Sequence, residues 1–123
     1  MATILVIEDN TAVRNTVCRI LQSGGYDVTI AEDGRKGMAM FRRQRPDLVI
    51  TDIIMPEQEG IETIRQILGD QPDAKIIAIS GGGRMGHIDF LDAARKLGAR
   101  DILPKPFDPD DLLSRVENCL AAA

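Results

Sequence analysis

The sequence predicts a doubly wound α/β domain around a parallel sheet, and three observations support this fold class. Short apolar runs without polar alternation recur along the chain, as strands buried on both faces require; they span residues 4–7, 48–51, 76–79 and 102–103. Stretches with helical spacing separate these runs, which indicates right-handed crossover connections. Each run leads into polar residues, and such sheets bind ligands at the carboxyl ends of their strands.

A helix follows the first run, with apolar residues three or four positions apart at Val13, Val17, Ile20 and Leu21. Gly24 and Gly25 end this helix. Residues 28–31 are predicted as a second, short strand. Residues 34–44 follow as a weaker helix, with Met40 and Phe41 facing inward and Pro46 just beyond its end.

Three more helices are predicted after the third, fourth and fifth strands. Met55 and Pro56 make a turn before a helix whose apolar positions are Ile61, Ile64, Ile67 and Leu68. The next helix carries Phe90, Leu91, Ala94 and Leu97 and ends at Gly98. The last helix starts with Asp108 as N-cap and Pro109 at its first position. Its buried face is made of Leu112, Leu113, Val116 and Leu120.

Five such βα units suit a five-stranded sheet in the flavodoxin-like order 2-1-3-4-5 better than an eight-stranded barrel. Pro104 lies in the fifth strand, and a residue without an N–H is tolerated on an edge strand, which is where this order puts it. The switch point of the sheet then lies between the first and third strands. Those are the strands that run into Glu8-Asp9 and into Asp52.

Composition excludes several classes of protein. The chain has 123 residues, which predicts a single domain over residues 1–123, with no output domain visible after Leu120. A net charge of −4, no long basic run and 3% aromatic residues disfavour direct nucleic-acid binding. No apolar run approaches a membrane span of roughly 20 residues and no signal peptide is present, so a cytoplasmic protein without membrane contact is expected. Cys18 and Cys119 lack metal-binding spacing and are predicted to be reduced thiols.

Three carboxylates are expected at the switch point. Glu8, Asp9 and Asp52 would lie within a few ångströms of one another, where two unit charges 4 Å apart repel by roughly 4 kcal/mol at an effective dielectric of 20. The cluster therefore needs a divalent cation or raised pKa values. All-oxygen ligands without His or Cys point to Mg²⁺, with Mn²⁺ or Ca²⁺ as substitutes.

Asp52 is the candidate nucleophile, because an Asp carboxylate can accept a phosphoryl group as an aspartyl phosphate. Lys105 is the cation expected to meet the phosphoryl oxygens, held on a stiff segment between Pro104 and Pro106. Ser80 offers a hydroxyl donor at the end of the fourth strand. The residues thus predict phosphoryl transfer supported mainly by positioning and charge.

The pattern as a whole resembles the chemotaxis-regulator-like receiver domain of bacterial two-component response regulators, from Ile4 to about Leu120. The resemblance is carried by Ile7-Glu8-Asp9-Asn10, Asp52 before Ile53-Ile54-Met55-Pro56, Ser80 after Ile79, Leu97-Gly98-Ala99 and Lys105-Pro106-Phe107. Each motif alone is weak, but together, in order and on matching elements, they are highly specific.

The resemblance implies a complete phosphoryl site. Asp52 is then the phosphoacceptor, and Mg²⁺ is bound by Glu8, Asp9, Asp52 and the backbone carbonyl of Ile54. Ser80 and Lys105 hold the phosphoryl group, and the Lys105-Pro106 bond is typically cis. The donor is a phosphohistidine on a sensor histidine kinase or a histidine phosphotransfer protein, and the protein switches binding to an output partner that the sequence does not name. It catalyses its own phosphorylation and dephosphorylation without turning over a metabolite.

Two positions depart from the common family pattern. Ser80 stands where Thr is usual, which keeps the hydroxyl. Ile102 stands where many members carry Tyr or Phe, so a switch that turns an aromatic ring inward has no ring here. Ile54 and Gly82 flank the phosphoryl group in the family pattern, and neither side chain can orient an attacking water. Slow self-catalysed dephosphorylation is therefore expected.

Alternative functions remain open at this point. A pseudo-receiver would bind partners without phosphorylation, and Ile102 keeps that alternative open. An aspartate-nucleophile phosphohydrolase usually carries a second Asp two residues after the nucleophile, where this chain has Ile54. A flavin binder is disfavoured by the acidic pocket and the few aromatic residues. His87, the single histidine, is expected to be an exposed residue rather than a phosphohistidine.

Overall fold

The computed structural model describes residues 2–53, 59–80, 95–104 and 107–122. The strands are β1 (Thr3–Ile7), β2 (Asp27–Ala31), β3 (Leu48–Asp52), β4 (Ile76–Ser80) and β5 (Asp101–Pro104). The helices are α1 (Thr11–Ser23), α2 (Gly34–Gln44), α3 (Glu59–Asp70) and α4 (Pro109–Ala121). All neighbouring strands are parallel and the sheet order is β2-β1-β3-β4-β5, which confirms the predicted topology.

Pro104 lies on an edge strand, as expected. Strand β5 has only β4 as a neighbour, and Pro104 stands opposite Ser80 at the carboxyl end of the pair. The missing N–H of Pro104 therefore interrupts no central ladder.

Helices cover both faces of the sheet, which explains why its strands are apolar throughout. On one face, α1 and α4 pack against alternate strand residues such as Val6 and Ile50. On the other, α2 and α3 pack against Leu5, Ile7 and Val49 through Phe41, Ile64 and other apolar side chains. The central strand β3 is buried along its whole length, so its residues cannot alternate between apolar and polar.

The helix starts only partly follow the predicted capping. Asp108 occupies the N-cap of α4 with Pro109 next to it, but its side chain makes no capping hydrogen bond, contrary to the usual role of such an Asp. Two caps that the sequence analysis did not single out do form: Asn10 accepts from the Val13 N–H at α1, and Asp33 accepts from the Lys36 N–H at α2.

Most of the helix expected before Gly98 lies outside the described residues, which resume at residue 95. Residues 95–97 are helical, and Gly98 follows with a φ of 121°, a left-handed conformation that ends a helix. Cys18 and Cys119 are both free, as predicted.

Candidate metal centre

The register of β1 and β3 brings the three predicted carboxylates together. Ile7 stands opposite Thr51, so the residues that follow, Glu8 and Asp52, leave the sheet at the same level. One carboxylate oxygen from each of Glu8, Asp9 and Asp52 lies within 4.8 Å of the others. Glu8 is fully buried and Asp52 is 4% exposed, whereas Asp9 is open to solvent.

This group has the chemistry of a hard-cation site. At 4.8 Å, two carboxylates repel each other by about 3.5 kcal/mol at an effective dielectric of 20. Two of the three are buried, so water screens them little, and a divalent cation would offset the repulsion. The donors of this cluster are all oxygens, which suits Mg²⁺ rather than a metal that prefers nitrogen or sulfur. The residues present therefore fit the cation expected from the sequence.

Hydrogen bonds hold the loop that carries two of these carboxylates. The Glu8 N–H donates to the Ala31 carbonyl at 3.0 Å, which extends the β1–β2 ladder by one residue. The Asn10 N–H donates to Glu8 Oε2 at 3.1 Å, and Arg14 Nη1 donates to the Glu8 carbonyl at 3.0 Å. The buried acid is thus tied to β2 and to the first two turns of α1.

The end of β3 is fixed just as closely around Asp52. The Ile53 N–H donates to the Ile79 carbonyl at 3.0 Å, and the Thr51 hydroxyl donates to the Asp52 carbonyl at 3.2 Å. Helix α3 meets this segment at Gly60. A Cβ at that position would lie 2.9 Å from the Ile53 carbonyl carbon and closer still to the Asp52 carbonyl oxygen. Only glycine allows this approach of helix to strand.

Sequence reasoning missed the structural role of three residues that shape this site. Asn10 carried a usable signal, because Asn directly before a helical pattern is a favoured N-cap. Gly60 carried a weaker one, since glycine inside a helical pattern often has a packing reason. Arg14 carried none, because its bond to the Glu8 carbonyl depends on how α1 is placed.

The other predicted site residues are described only in part. Ser80 is the last residue of β4, one position beyond Ile79, which is the register partner of Asp52. Its backbone is therefore next to the carboxylate cluster. Ile54 and Lys105 lie outside the described residues, as do Gly82 and His87.

Ile102 belongs to the core on the α2 and α3 face. It stands opposite Ala78 in the β4–β5 pair and is partly buried. Its N–H donates to Asp101 Oδ1 and its carbonyl accepts from Arg115 Nη1, both at 2.8 Å. The position where many receiver domains carry an aromatic ring thus holds an aliphatic side chain, on a strand that is hydrogen-bonded to α4 through Arg115.

No described helix is both long enough and apolar enough to cross a membrane.

The fold and the site together define a doubly wound α/β domain with three carboxylates at its switch point that could hold a cation. The sequence model of the response regulator receiver domain family matches residues 4–117, and the chain belongs to this family. Its role is that of a phosphoacceptor receiver in two-component signalling. This is a signalling role and not a step of metabolism.

Curated relatives and solved structures agree with this family. The chain is 37% identical over 118 residues to the response regulators MprA of Mycolicibacterium vanbaalenii and of Mycobacterium tuberculosis. The match covers 95% of this chain, which spans about half the length of these relatives (49% and 50%).

Among solved structures, a receiver domain protein from Clostridium thermocellum is 30% identical, with a TM-score of 0.90 over 98% of this chain and 94% of that one. A CheY-like receiver domain protein from Methanospirillum hungatei is 29% identical, with a TM-score of 0.86 over 98% of this chain and 94% of that one. The receiver domain of NtrX from Brucella abortus is 30% identical, with a TM-score of 0.90 over 98% of this chain and 99% of that one.

Proposed function

We propose that residues 1–123 act as one receiver domain in which Asp52 is the phosphoacceptor. The observation that carries this proposal is the meeting of Glu8, Asp9 and Asp52 within 4.8 Å at the switch point of the sheet. Asp52 is the nucleophile of the three because it ends the central strand β3, between β1 and β4, which end in Ile7 and Ser80. Groups from both neighbouring strands can therefore reach a phosphoryl group on Asp52.

The cation of the proposed site is Mg²⁺, for which Mn²⁺ can substitute. Its proposed protein ligands are the carboxylates of Glu8, Asp9 and Asp52, together with the backbone carbonyl of Ile54 as in the family pattern. When bound, the cation neutralises charge on the carboxylates and on the phosphoryl oxygens. The chain's own contribution is to hold the ligands rigidly, through the hydrogen bonds of Asn10 and Arg14 to Glu8.

Phosphoryl transfer to Asp52 is a displacement at phosphorus. A carboxylate oxygen of Asp52 forms the new P–O bond while the P–N bond of a phosphohistidine breaks, and the electron pair of that bond stays on the imidazole nitrogen. Ser80 and Lys105 are proposed to hold the phosphoryl oxygens, Ser80 as a hydroxyl donor and Lys105 as a cation. Most of the rate then comes from in-line positioning and charge rather than from a separate acid or base.

The donor is proposed to be a sensor histidine kinase or a histidine phosphotransfer protein in the cytoplasm. Phosphorylation adds a dianionic group with new acceptor oxygens at one point, and Ser80 can gain a contact only in that state. This difference biases the protein toward a conformation that binds an output partner. Ile102 gives the switch an aliphatic side chain where other members use a ring, so its signal would pass through packing against Ala78 and the Arg115 contact.

The test is intact-protein mass spectrometry after incubation with Mg²⁺ and acetyl phosphate. One added phosphoryl group is expected, labile to hydroxylamine and absent with EDTA. The Asp52→Asn variant should gain none, whereas Asp73→Asn, which changes an exposed acid remote from the cluster, should behave as the unmodified chain. A folded, Mg²⁺-binding protein that gained no phosphoryl group would contradict the assignment of Asp52.

A further inference from the structure

Charge is distributed unevenly over the fold. Residues 10–46 carry seven of the 15 cationic side chains but only three of the 19 acidic ones, in a chain of net charge −4. The excess of positive charge is greatest at helix α2 and its C-cap, because five cations lie at residues 35–45 and none of the residues of α2 is acidic. A strongly cationic element on an acidic protein is a feature that folding alone does not require.

The cations of α2 all face solvent. Met38 and Phe41 turn the apolar side of the helix into the core, where both are buried. The exposed cations are Arg35, Lys36, Arg42 and Arg43 on the helix and Arg45 at its C-cap. The helix therefore presents charge outward and has no apolar face left to insert into a lipid bilayer.

Some of these cations already have partners. Lys36 forms an ion pair with Glu32, Arg42 pairs with Asp70 at 2.8 Å, and the Arg45 guanidinium lies 5.2 Å from the centre of the Phe41 ring.

Within the described ranges, Arg35 and Arg43 take part in no ion pair. They are eight residues apart on one side of the helix, so their backbones are separated by about 12 Å.

A mainly apolar hollow adjoins this row of cations. It has a volume of about 320 Å³ and lies between the edge strand β2 and α2, lined by Ile30, Ala39 and Met40 and by the ion pair of Lys36 and Glu32. Ile30 is 44% exposed, the one large hydrophobic side chain that is exposed among the described residues. Arg35 and Arg43 do not line the hollow, but each lies one helical turn from Ala39, which does. An apolar hollow with unpaired guanidinium groups one turn away suits a ligand that is apolar on one side and anionic on the other.

We propose that this α2 docking face binds an acidic, amphipathic segment of a partner protein; the face consists of Ile30, Arg35, Lys36, Ala39, Met40 and Arg43. Carboxylates of the segment contact Arg35 and Arg43, where bidentate pairing fits the guanidinium geometry. An apolar side chain of the segment enters the hollow beside Ile30. Binding in this mode follows the pattern of an amphipathic helix placed against a groove.

Charge and shape both favour a protein segment over nucleic acid. A long polyanion such as duplex DNA would also be repelled by the remainder of the domain, which is strongly acidic. A short segment interacts only with the cations of α2, because charges further away than a Debye length of about 10 Å are screened. Phosphate groups also gain nothing from a hollow lined by Ile30, Ala39 and Met40.

The experiment uses fluorescence anisotropy with a labelled helical peptide of about three turns, the length of α2, with Glu on one face and Leu on the other. Two double variants carry the same change in net charge. Arg35→Glu with Arg43→Glu alters the docking face, and Arg19→Glu with Arg95→Glu alters exposed cations on other helical segments. Ile30→Ser tests the hollow separately, and melting curves confirm that each variant is folded.

The expected result is a loss of peptide affinity of about tenfold or more for the docking-face pair, a smaller loss for Ile30→Ser and little change for the control pair. Peptide binding should also weaken as salt rises. The proposal is overturned if the peptide does not bind, or if both double variants weaken it equally. It is also overturned if duplex DNA or vesicles with anionic lipid bind more tightly than the peptide and lose affinity with the docking-face pair.

Discussion

Gly60 is the point where α3 touches the strand end that carries Asp52. A Cβ at Gly60 would lie 2.9 Å from the Ile53 carbonyl carbon, and nearer still to the Ile53 Cα and the Asp52 carbonyl oxygen. All three are backbone atoms, so no flexible side chain can move aside. Gly60→Ala must therefore push α3 away from the end of β3.

The cost follows from two opposing effects. Forcing an extra methyl group into a packed contact costs typically about 1–3 kcal/mol. The better helix propensity of alanine returns up to about 1 kcal/mol. Gly69, near the other end of the same helix, is the matched control, because nothing lies within 4 Å of a Cβ there. Gly69→Ala should therefore keep only the gain, about 0.5–1 kcal/mol.

Urea unfolding followed by circular dichroism measures both changes. In EDTA, the midpoint should fall for Gly60→Ala and stay level or rise for Gly69→Ala, with similar slopes. Gly60→Ala should also weaken Mg²⁺ binding, because the strand end that carries Asp52 is displaced, and Gly69→Ala should not. Equal midpoints for the two variants would refute the close contact between α3 and β3.

Three further predictions concern charge and burial. Asp52→Asn should raise the free energy of unfolding in EDTA by about 1–3 kcal/mol, because one of three mutually repelling carboxylates is gone, and should abolish the stabilisation by Mg²⁺ that thermal melts show for the unmodified chain. The hydrogen bond from Arg42 lowers the pKa of Asp70 from its ordinary value of 3.8, so the contribution of this pair is present above that pH and is lost as the pH falls below it. The melting temperature of Asp70→Asn should therefore lie below that of the unmodified chain at pH 7, and the two melting temperatures should converge in acid. A difference that stays constant with pH would count against a contribution from this pair. Burial raises the pKa of the Cys119 thiol, so that thiol should react with a disulfide reagent at pH 8 only after unfolding, and mass mapping of labelled peptides would expose any early reaction.

Much of the fold could be predicted because local patterns specify it. Strands without alternation of apolar and polar residues, such as the wholly buried Leu48–Asp52, require helices on both faces of the sheet. This requirement leads to a parallel doubly wound sheet. Pro104 supported the strand order, since its missing N–H restricts it to an edge. The carboxylate cluster followed from the same topology, because Glu8 and Asp52 both follow strands that meet at the switch point.

The sequence by itself therefore determined the elements that the structure describes, their order and the meeting of Glu8, Asp9 and Asp52, since periodicity and turn residues act over a few positions. Only the tertiary structure decided which contacts form between elements distant along the chain. Gly60 against β3 and Arg14 on the Glu8 carbonyl are contacts of this kind, because each depends on how closely a helix packs and not on any local pattern. The exposed cations of α2 beside Ile30 also became a surface only when β2 and α2 were placed side by side.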